Sequence, residues 1–123
     1  TEHLVCGLDF VPTLCDFAQV TPPPVKQARS LRRLLEGTPT PWRDYLVSEV
    51  QITGRVVRTR DFKYVHYDED PVELLFSLKD DPWELENLAD DGRYAEVKRK
   101  HESLLRDWTG QLEVRPPTPM PWE

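Results

Sequence analysis

The chain is organised around the stretch LFSLKDDPWELENLA, which runs from Leu75 to Ala89. Its first residues suit a short strand, and Asp80–Pro82 ends that strand, because proline fixes its own φ and disfavours helix at the residue before it. Leu85 and Leu88 are expected to lie along one side of the segment that follows. Asn87 can bond its neighbouring backbone, as asparagine does in turns. The local chemistry therefore predicts a strand, a turn and a linker to a helix.

The size and composition indicate one domain with a modest core and a large wet surface. The chain has 123 residues, of which 38% are hydrophobic and 31% are charged. A net charge of -6 argues against a nucleic-acid partner, which would need a basic face. We expect no membrane span and no signal peptide, and the sequence leaves the compartment undetermined. Cys6 and Cys15 fit no zinc or redox motif, and Cys15 is expected to be a small buried side chain.

The first 43 residues predict two short helices joined by a proline-rich connector. Asp9 stands where a helix N-cap belongs, so its carboxylate is expected to accept bonds from first-turn N–H groups. A buried helical face near residues 9–18 is predicted from the apolar residues Phe10, Val11, Leu14, Phe17 and Ala18. A second helix begins near Ser30 and ends at Gly37, a common C-terminal stop. The nearby arginines Arg29, Arg32 and Arg33 are interpreted as a solvated helix face.

The rest of the chain predicts an α+β fold. Alternating apolar residues indicate strands near 45–50, 55–60, 62–67 and 74–78. A helix near 91–109, capped by Asp90 or Asp91, carries an apolar stripe made of Tyr94, Val97, His101, Leu104, Leu105 and Trp108. His101 is interpreted as a packed histidine. The predicted architecture is a small antiparallel sheet of about four strands packed against a long C-terminal helix, preceded by one or two short helices.

Four segments together resemble the C-terminal region of type I, formylglycine-dependent sulfatases of the alkaline phosphatase superfamily. The opening stretch is similar to the family's Leu-Tyr-Asp-Leu, Asp-Pro, Glu, Asn-Leu signature. VCGLDFVPTL resembles Val-Ser-x-x-Asp-x-x-Pro-Thr-Leu, with Cys6 in place of serine. ARSLRRLLEG resembles Gly-Arg-Ser-Leu-x-x-Leu-Leu-x-Gly, with Ala28 in place of glycine. RVVRTRDFKYV resembles the hairpin Arg-x-Val-Arg-Thr-x-x-Tyr-Lys-Tyr-Ile. The matches run in order from Val5 to about Trp108.

The resemblance implies a division into three parts. Residues 1–43 would be the tail end of the large α/β domain with its connector, 44–110 the sheet-plus-helix domain, and 111–123 a proline-rich tail. The chain would be the C-terminal module of a sulfuric ester hydrolase. It would pack on the N-terminal catalytic domain of the same polypeptide and help to shape the substrate pocket. Calcium or magnesium and a formylglycine are implied for the full-length enzyme.

No catalytic residue and no metal ligand are carried over to this chain. Neither cysteine lies in the family's Cys-x-Pro-Ser-Arg-type motif, and the cluster of oxygen ligands that calcium or magnesium needs is not seen. His3, Arg58 and His66 are the candidates for a polar contribution to the substrate pocket. Surface pairing is the alternative interpretation of these three. For the arginines and lysine of the hairpin, pairing with nearby carboxylates is the favoured interpretation.

Two other functions stay open. The chain is alternatively a free-standing binding or scaffolding module derived from this fold, or the tail of a related phosphatase or phosphonate hydrolase. A large apolar patch on the sheet or the first helix would favour a missing partner domain, because soluble monomers seldom expose one. Homo-oligomerisation through such apolar faces is a further hypothesis.

Overall fold

The fold is a four-stranded antiparallel sheet with one long helix across it. The computed structural model describes residues 2–25, 27–50, 53–68 and 70–112. Of the predicted proline-rich tail, 111–123, the part from residue 113 onward lies outside the described residues. The strands pair in the order of the chain, as β1 (Tyr45–Val50), β2 (Gly54–Thr59), β3 (Phe62–Tyr67) and β4 (Leu74–Ser77). The helices are α1 (Phe10–Phe17), α2 (Arg32–Leu35) and α3 (Ala95–Gly110). The predicted α+β class is confirmed.

The core lies between one face of the sheet and α3. Successive side chains of a strand point to opposite faces, so only alternate residues reach the helix. The sheet contributes Val57, Tyr64 and Leu75, and α3 contributes Leu105 and Trp108. The predicted helical stripe is confirmed, because its other apolar members pack around this cluster. No helix in the described part of the chain is long and apolar enough to cross a membrane.

The stretch that follows β4 runs beside it and closes the core. Leu88 donates its N–H to the carbonyl of Leu75 at 2.8 Å. The side chain of Asn87 accepts from the N–H of Leu75 at 2.9 Å and of Ala89 at 3.1 Å, and donates to the carbonyl of Glu73 at 3.1 Å. Asn87 thus bonds its neighbouring backbone, as predicted, and also a strand residue.

The prediction that Leu85 and Leu88 lie along one side is wrong. Leu88 is 6% exposed, whereas Leu85 is 84% exposed. The carboxylate of Asp81 accepts from the backbone N–H groups of Leu85, at 2.6 Å, and Glu86, at 2.9 Å. This closed turn holds the backbone of Leu85 away from the core, so the chain returns to the sheet only at Asn87.

His101 is the packed histidine that the sequence predicted. It is 2% exposed, and its Nδ1 donates to the carbonyl of Val97 at 2.8 Å while its Nε2 lies 3.1 Å from Oγ1 of Thr59. Burial lowers the pKa of His101, and the bond to Val97 only partly opposes that shift. The capping prediction for the last helix is also met, because Asp91 accepts from the N–H of Arg93 at the one-turn 3-10 helix that leads into α3.

The predicted burial of the α1 apolar face is wrong for this chain. Phe10 is 63% exposed, Leu14 is 53% and Phe17 is 51%, and Val11 and Ala18 are exposed as well. The reason is that α3 already covers the core face of the sheet. The elements that α1 contacts most in the described part of the chain are the turn before it and the single turn of α2, and neither covers its apolar face.

Two smaller predictions near α1 have mixed outcomes. The second helix spans only Arg32–Leu35 and is shorter than expected, but Gly37 follows its C-cap as the predicted stop, with a φ of 70° that glycine adopts without strain. Cys15 is half-buried rather than buried. Both cysteines are free thiols.

Candidate functional site

The three predicted polar residues fall on two faces of the sheet. Val57 faces α3, so Arg58 points to the opposite face, where it lines a cleft of about 760 Å³ together with His3. His66 lies on the α3 face and lines a separate cavity of about 650 Å³. The structure therefore brings His3 and Arg58 together and separates them from His66.

The segment before α1 forms one wall of the cleft. Trp42 donates its indole N–H to the carbonyl of Leu4 at 2.7 Å, and the ring of His3 meets that of Trp42 edge to face at 6.3 Å between centroids. Across the cleft, the N–H of Leu78 donates to the carbonyl of Asp61 at 2.8 Å, which draws the end of β4 against the β2–β3 turn. The cleft is thus held on both sides by long-range hydrogen bonds.

The hairpin charges confirm the interpretation of carboxylate pairing for three residues, of which Arg60 pairs with Glu2 at 2.6 Å. Arg55 forms an ion pair with Asp68 at 2.5 Å, and Lys63 forms one with Glu84. Arg58 differs, because none of the described carboxylates forms an ion pair with it. Arg58 is therefore the hairpin cation that is available to an anion from outside the chain.

A charged network surrounds His66 on the α3 face. Glu73 accepts from the hydroxyl of Tyr64 and from Nζ of Lys98. His66 sits between two carboxylates, with Nδ1 3.7 Å from Glu73 and Nε2 3.7 Å from Asp68. Burial would raise the pKa of Glu73, but the bonds from Lys98 and Tyr64 outweigh it and hold that pKa below its usual value. Burial and the Glu73 carboxylate raise the pKa of Tyr64. The network ties β3 and α3 to Glu73, the residue before β4.

Asp9 stands at the N-cap position of α1, but its carboxylate makes no capping bond to the first turn of that helix, which corrects the predicted role. It is fully buried, and its carboxylate accepts two bonds from the guanidinium of Arg43, at 2.6 and 2.7 Å. It also accepts from the backbone N–H groups of Cys6 and Arg29, both at 2.9 Å. Burial would raise the pKa of Asp9, but these bonds outweigh it and lower the pKa. The helix prediction held, and the role of the carboxylate did not, because its main partner lies 34 residues away.

The arginine cluster before α2 is only partly a solvated face. Arg29 and Arg33 are exposed. Arg32 pairs with Asp16 of α1 at 3.4 Å and with Glu36 at 2.8 Å, so it helps to join α1 to α2.

The described residues do not fit the groups that the sulfatase resemblance implies. Within the ranges that the structure describes, no three His, Cys, Asp or Glu side chains lie together as a metal site would require. Sγ of Cys6 lies 3.5 Å from Nη1 of Arg43, beside the buried Asp9, and the residues after it are Gly-Leu-Asp. The described residues of this chain therefore offer neither a metal site nor a formylglycine position.

Comparison with protein families gives one match over most of the chain. The model of the family described as N-sulphoglucosamine sulphohydrolase, C-terminal, matches residues 1–111. A curated relative is the Delta 4,5-hexuronate-2-O-sulfatase of Bacteroides thetaiotaomicron, which is 39% identical over 117 residues. That alignment covers 87% of this chain and 24% of the relative.

Solved structures share the fold as well as the sequence. A 2-O GAG sulfatase is 36% identical with a TM-score of 0.79, and the match covers 90% of this chain and 26% of that one. The phosphonate monoester hydrolase of Agrobacterium radiobacter is 31% identical with a TM-score of 0.68, covering 84% of this chain and 24% of that one. The chain thus spans about a quarter of the length of the proteins it matches.

Proposed function

This chain belongs to the sulfatase C-terminal family described as N-sulphoglucosamine sulphohydrolase, C-terminal, and on that premise we propose that its parent enzyme hydrolyses sulfate esters. The chain is the C-terminal module of that larger enzyme, since it matches the C-terminal quarter of sulfatases and of phosphonate hydrolases. We propose that the module packs on an N-terminal catalytic domain of the same polypeptide and does not catalyse alone. The formylglycine nucleophile and the calcium or magnesium ion would belong to that domain.

The observation that carries the docking proposal is the exposed apolar face of α1. Phe10, Leu14 and Phe17 each expose more than half of their surface, and Val11 and Leu8 extend the same patch. Apolar area of this kind is worth about 25 cal/mol per Å² when it is buried. Soluble monomers seldom leave such patches uncovered. A covering domain is the occupant proposed, because the relatives carry three quarters of their length outside the matched region.

The position of α1 is fixed by polar contacts, which supports the same proposal. The hydroxyl of Thr13 donates to the carbonyl of Asp9 and accepts from the N–H of Leu31 at 2.8 Å. Ser30 donates to the carboxylate of Asp16 at 2.6 Å. With the Asp9–Arg43 pair, these bonds hold one side of α1 and leave its apolar side outward. We propose that residues 1–43 complete the catalytic domain, with 44–110 as the small domain.

His3 and Arg58 are proposed to extend the substrate pocket. They share one cleft, and the cleft wall leads directly into α1, which is the element proposed to contact the catalytic domain. His66 faces the α3 side, so its predicted role needs a catalytic domain that reaches around the sheet. It stays a prediction.

A turnover assay tests the proposed function. Aryl sulfate and phosphonate monoester hydrolysis would be measured for this chain and for the polypeptide extended N-terminally through its catalytic domain. We expect metal-dependent sulfate ester hydrolysis by the extended polypeptide and none by the chain alone. Turnover by the pure chain, or an extended polypeptide without sulfatase activity, would overturn the proposal.

A phosphonate monoester hydrolase is the second candidate, because the Agrobacterium radiobacter enzyme shares this module at 31% identity. Preference of the extended polypeptide for the phosphonate monoester would select this second candidate.

A free-standing scaffolding module would instead show no partner for the α1 face. Sedimentation of the chain at high concentration tests self-association through that face, and a monomer would count against it.

A further inference from the structure

We propose that the cleft beside the N-terminal segment is a binding site for an oxyanion, a sulfate or carboxylate group, held by Arg58 and Lys79. Both side chains are exposed and line the same cleft. Throughout the described ranges, no carboxylate forms an ion pair with either of them. The cleft therefore offers two cations that have no ion-pair partner in the described part of the chain.

A comparison of two arginines on β2 shows that this arrangement is particular to one face. Arg55, on the α3 face, has Asp68 at 2.5 Å and Glu49 at 4.0 Å. Arg58, three residues later on the opposite face, has Leu46 across from it on β1 and Lys63 across from it on β3. Neither neighbour can neutralise a guanidinium. The described residues thus leave the charge of Arg58 uncompensated, whereas Arg55 has Asp68 and Glu49 as ion-pair partners.

The cross-strand neighbour of Arg58 on β3 is a second cation, Lys63. Arg58 and Lys63 are directly opposite in the register, and like charges at such positions destabilise a sheet. Glu84 neutralises Lys63, and its own backbone is in the left-handed region, with a φ of 56°. Among the residues that the structure describes, no corresponding carboxylate serves Arg58. Glu84 offsets the like-charge contact from the Lys63 side, and an external anion would supply the counter-charge on the Arg58 side.

The turn after β4 brings the second cation into the cleft. The bond from the N–H of Leu78 to the carbonyl of Asp61 places Lys79 beside the β2–β3 turn that follows Arg58. Arg60 also lines the cleft, but its guanidinium forms an ion pair with Glu2 at 2.6 Å. Three cations and two carboxylates, Glu2 and Asp61, line the cleft, so it is positive within a chain of net charge -6.

The shape of the cleft favours a small ligand over a flat protein contact. Its volume of about 760 Å³ lies in the usual range of small-molecule sites, roughly 300–1,000 Å³. Leu4, Val5, Leu46 and Leu78 add apolar walls that suit the ring of a sugar. Arginine binds carboxylate and sulfate oxygens through its planar fork of N–H donors. These features alone support binding of an oxyanion. That the oxyanion is a group of a saccharide rests on the proposed function.

Binding is tested on this chain without any turnover, so its failure is distinct from failure of the proposed function. Backbone amide shifts of residues 57–60 and 77–79 would be followed by NMR during titration with inorganic sulfate and with a sulfated glucosamine. Ionic strength would be held constant with chloride. The variants are Arg58→Gln and Lys79→Gln, and the matched control is Arg106→Gln, an exposed arginine on the α3 face.

We expect saturable shifts in the wild type and in Arg106→Gln, with affinity reduced about tenfold or more in Arg58→Gln and to a smaller extent in Lys79→Gln. Tighter binding of the sulfated sugar than of sulfate supports the saccharide. Equal affinities support the oxyanion site and overturn the saccharide assignment. Shifts that do not saturate, or that are unchanged in Arg58→Gln, overturn the proposal. The proposal is also overturned if the wild type does not bind sulfate and Arg58→Gln loses association with the catalytic domain. That result would mean that the cleft is a domain interface.

Discussion

Arg43 and Asp9 form a bidentate ion pair at the point where the N-terminal segment meets the sheet. Nη2 of Arg43 lies 2.6 Å from Oδ1 of Asp9, and Nη1 lies 2.7 Å from Oδ2. The two side chains are 7% and 0% exposed. Arg43 also donates to the carbonyl of Gln27 at 3.2 Å. One buried carboxylate thereby fixes α1, the connector and the start of β1 relative to one another.

Removal of the Asp9 charge is expected to destabilise the chain strongly. Asp9→Asn leaves the guanidinium of Arg43 buried without a counter-charge, which costs about 3–5 kcal/mol in comparable buried pairs. Urea unfolding measures the loss. The control is Asp16→Asn, which removes a half-exposed partner of Arg32 and should cost much less. Equal stability of the two variants would contradict this account of Asp9.

Truncation of two leucines in the same motif should reduce the free energy of unfolding by very different amounts. Leu88→Ala opens a cavity in the core and is expected to cost about 2–5 kcal/mol. Leu85→Ala removes an exposed side chain and should change the free energy of unfolding by about 0.5 kcal/mol or less. Urea denaturation of both variants provides the measurement. A Leu85→Ala variant as unstable as Leu88→Ala would place Leu85 in the core.

Asn87 should stabilise the chain through both ends of its amide. Asn87→Ala leaves the N–H groups of Leu75 and Ala89 without their acceptor, at a cost of about 1–3 kcal/mol. Asn87→Asp keeps the acceptor and loses only the donor to Glu73, so its stability should be intermediate. Thermal unfolding compares the three proteins, and an Asn87→Asp variant less stable than Asn87→Ala would refute this assignment.

His101 should make stability depend on pH below neutrality. Burial lowers its folded-state pKa below the ordinary 6.5, so the unfolded chain binds the proton more tightly. The contribution is full above pH 6.5 and is lost as pH falls from that value towards the folded-state pKa. Urea unfolding between pH 7.5 and 5.5 should show a smaller loss in His101→Gln than in the wild type. A His101→Gln variant that loses as much stability over this range as the wild type would contradict this account of His101.

The sequence predicted the sheet and α3 because their signals are local. Alternation of apolar and polar residues predicts a strand from six residues of sequence. A stripe that includes Val97, His101 and Trp108 likewise predicts one buried face of a helix. The pattern at Phe10 and Phe17 is equally local, yet it indicates only that a face favours burial and not which chain covers it. That is why the helix was predicted correctly and its burial was not.

The site residues were harder to predict because their partners are distant in sequence. Arg43 lies 34 residues from Asp9, and no local pattern links them. The network of Tyr64, Glu73 and Lys98 joins β3, the residue before β4 and α3, and the sequence did not reveal it for the same reason. The register of β2 and β3 separates Arg58 from His66, a distinction that depends on the pairing of the strands.

The most direct test of the central claim is the association of this chain with its separately produced N-terminal catalytic domain. Phe10→Ser combined with Phe17→Ser removes the α1 patch, and Val72→Ser combined with Leu112→Ser is the matched control, since these apolar residues are exposed elsewhere. Calorimetry should show affinity reduced tenfold or more, by about 1.4 kcal/mol per factor of ten, in the α1 variant only. Unchanged affinity in the α1 variant, or equal loss in the control, would contradict docking through α1.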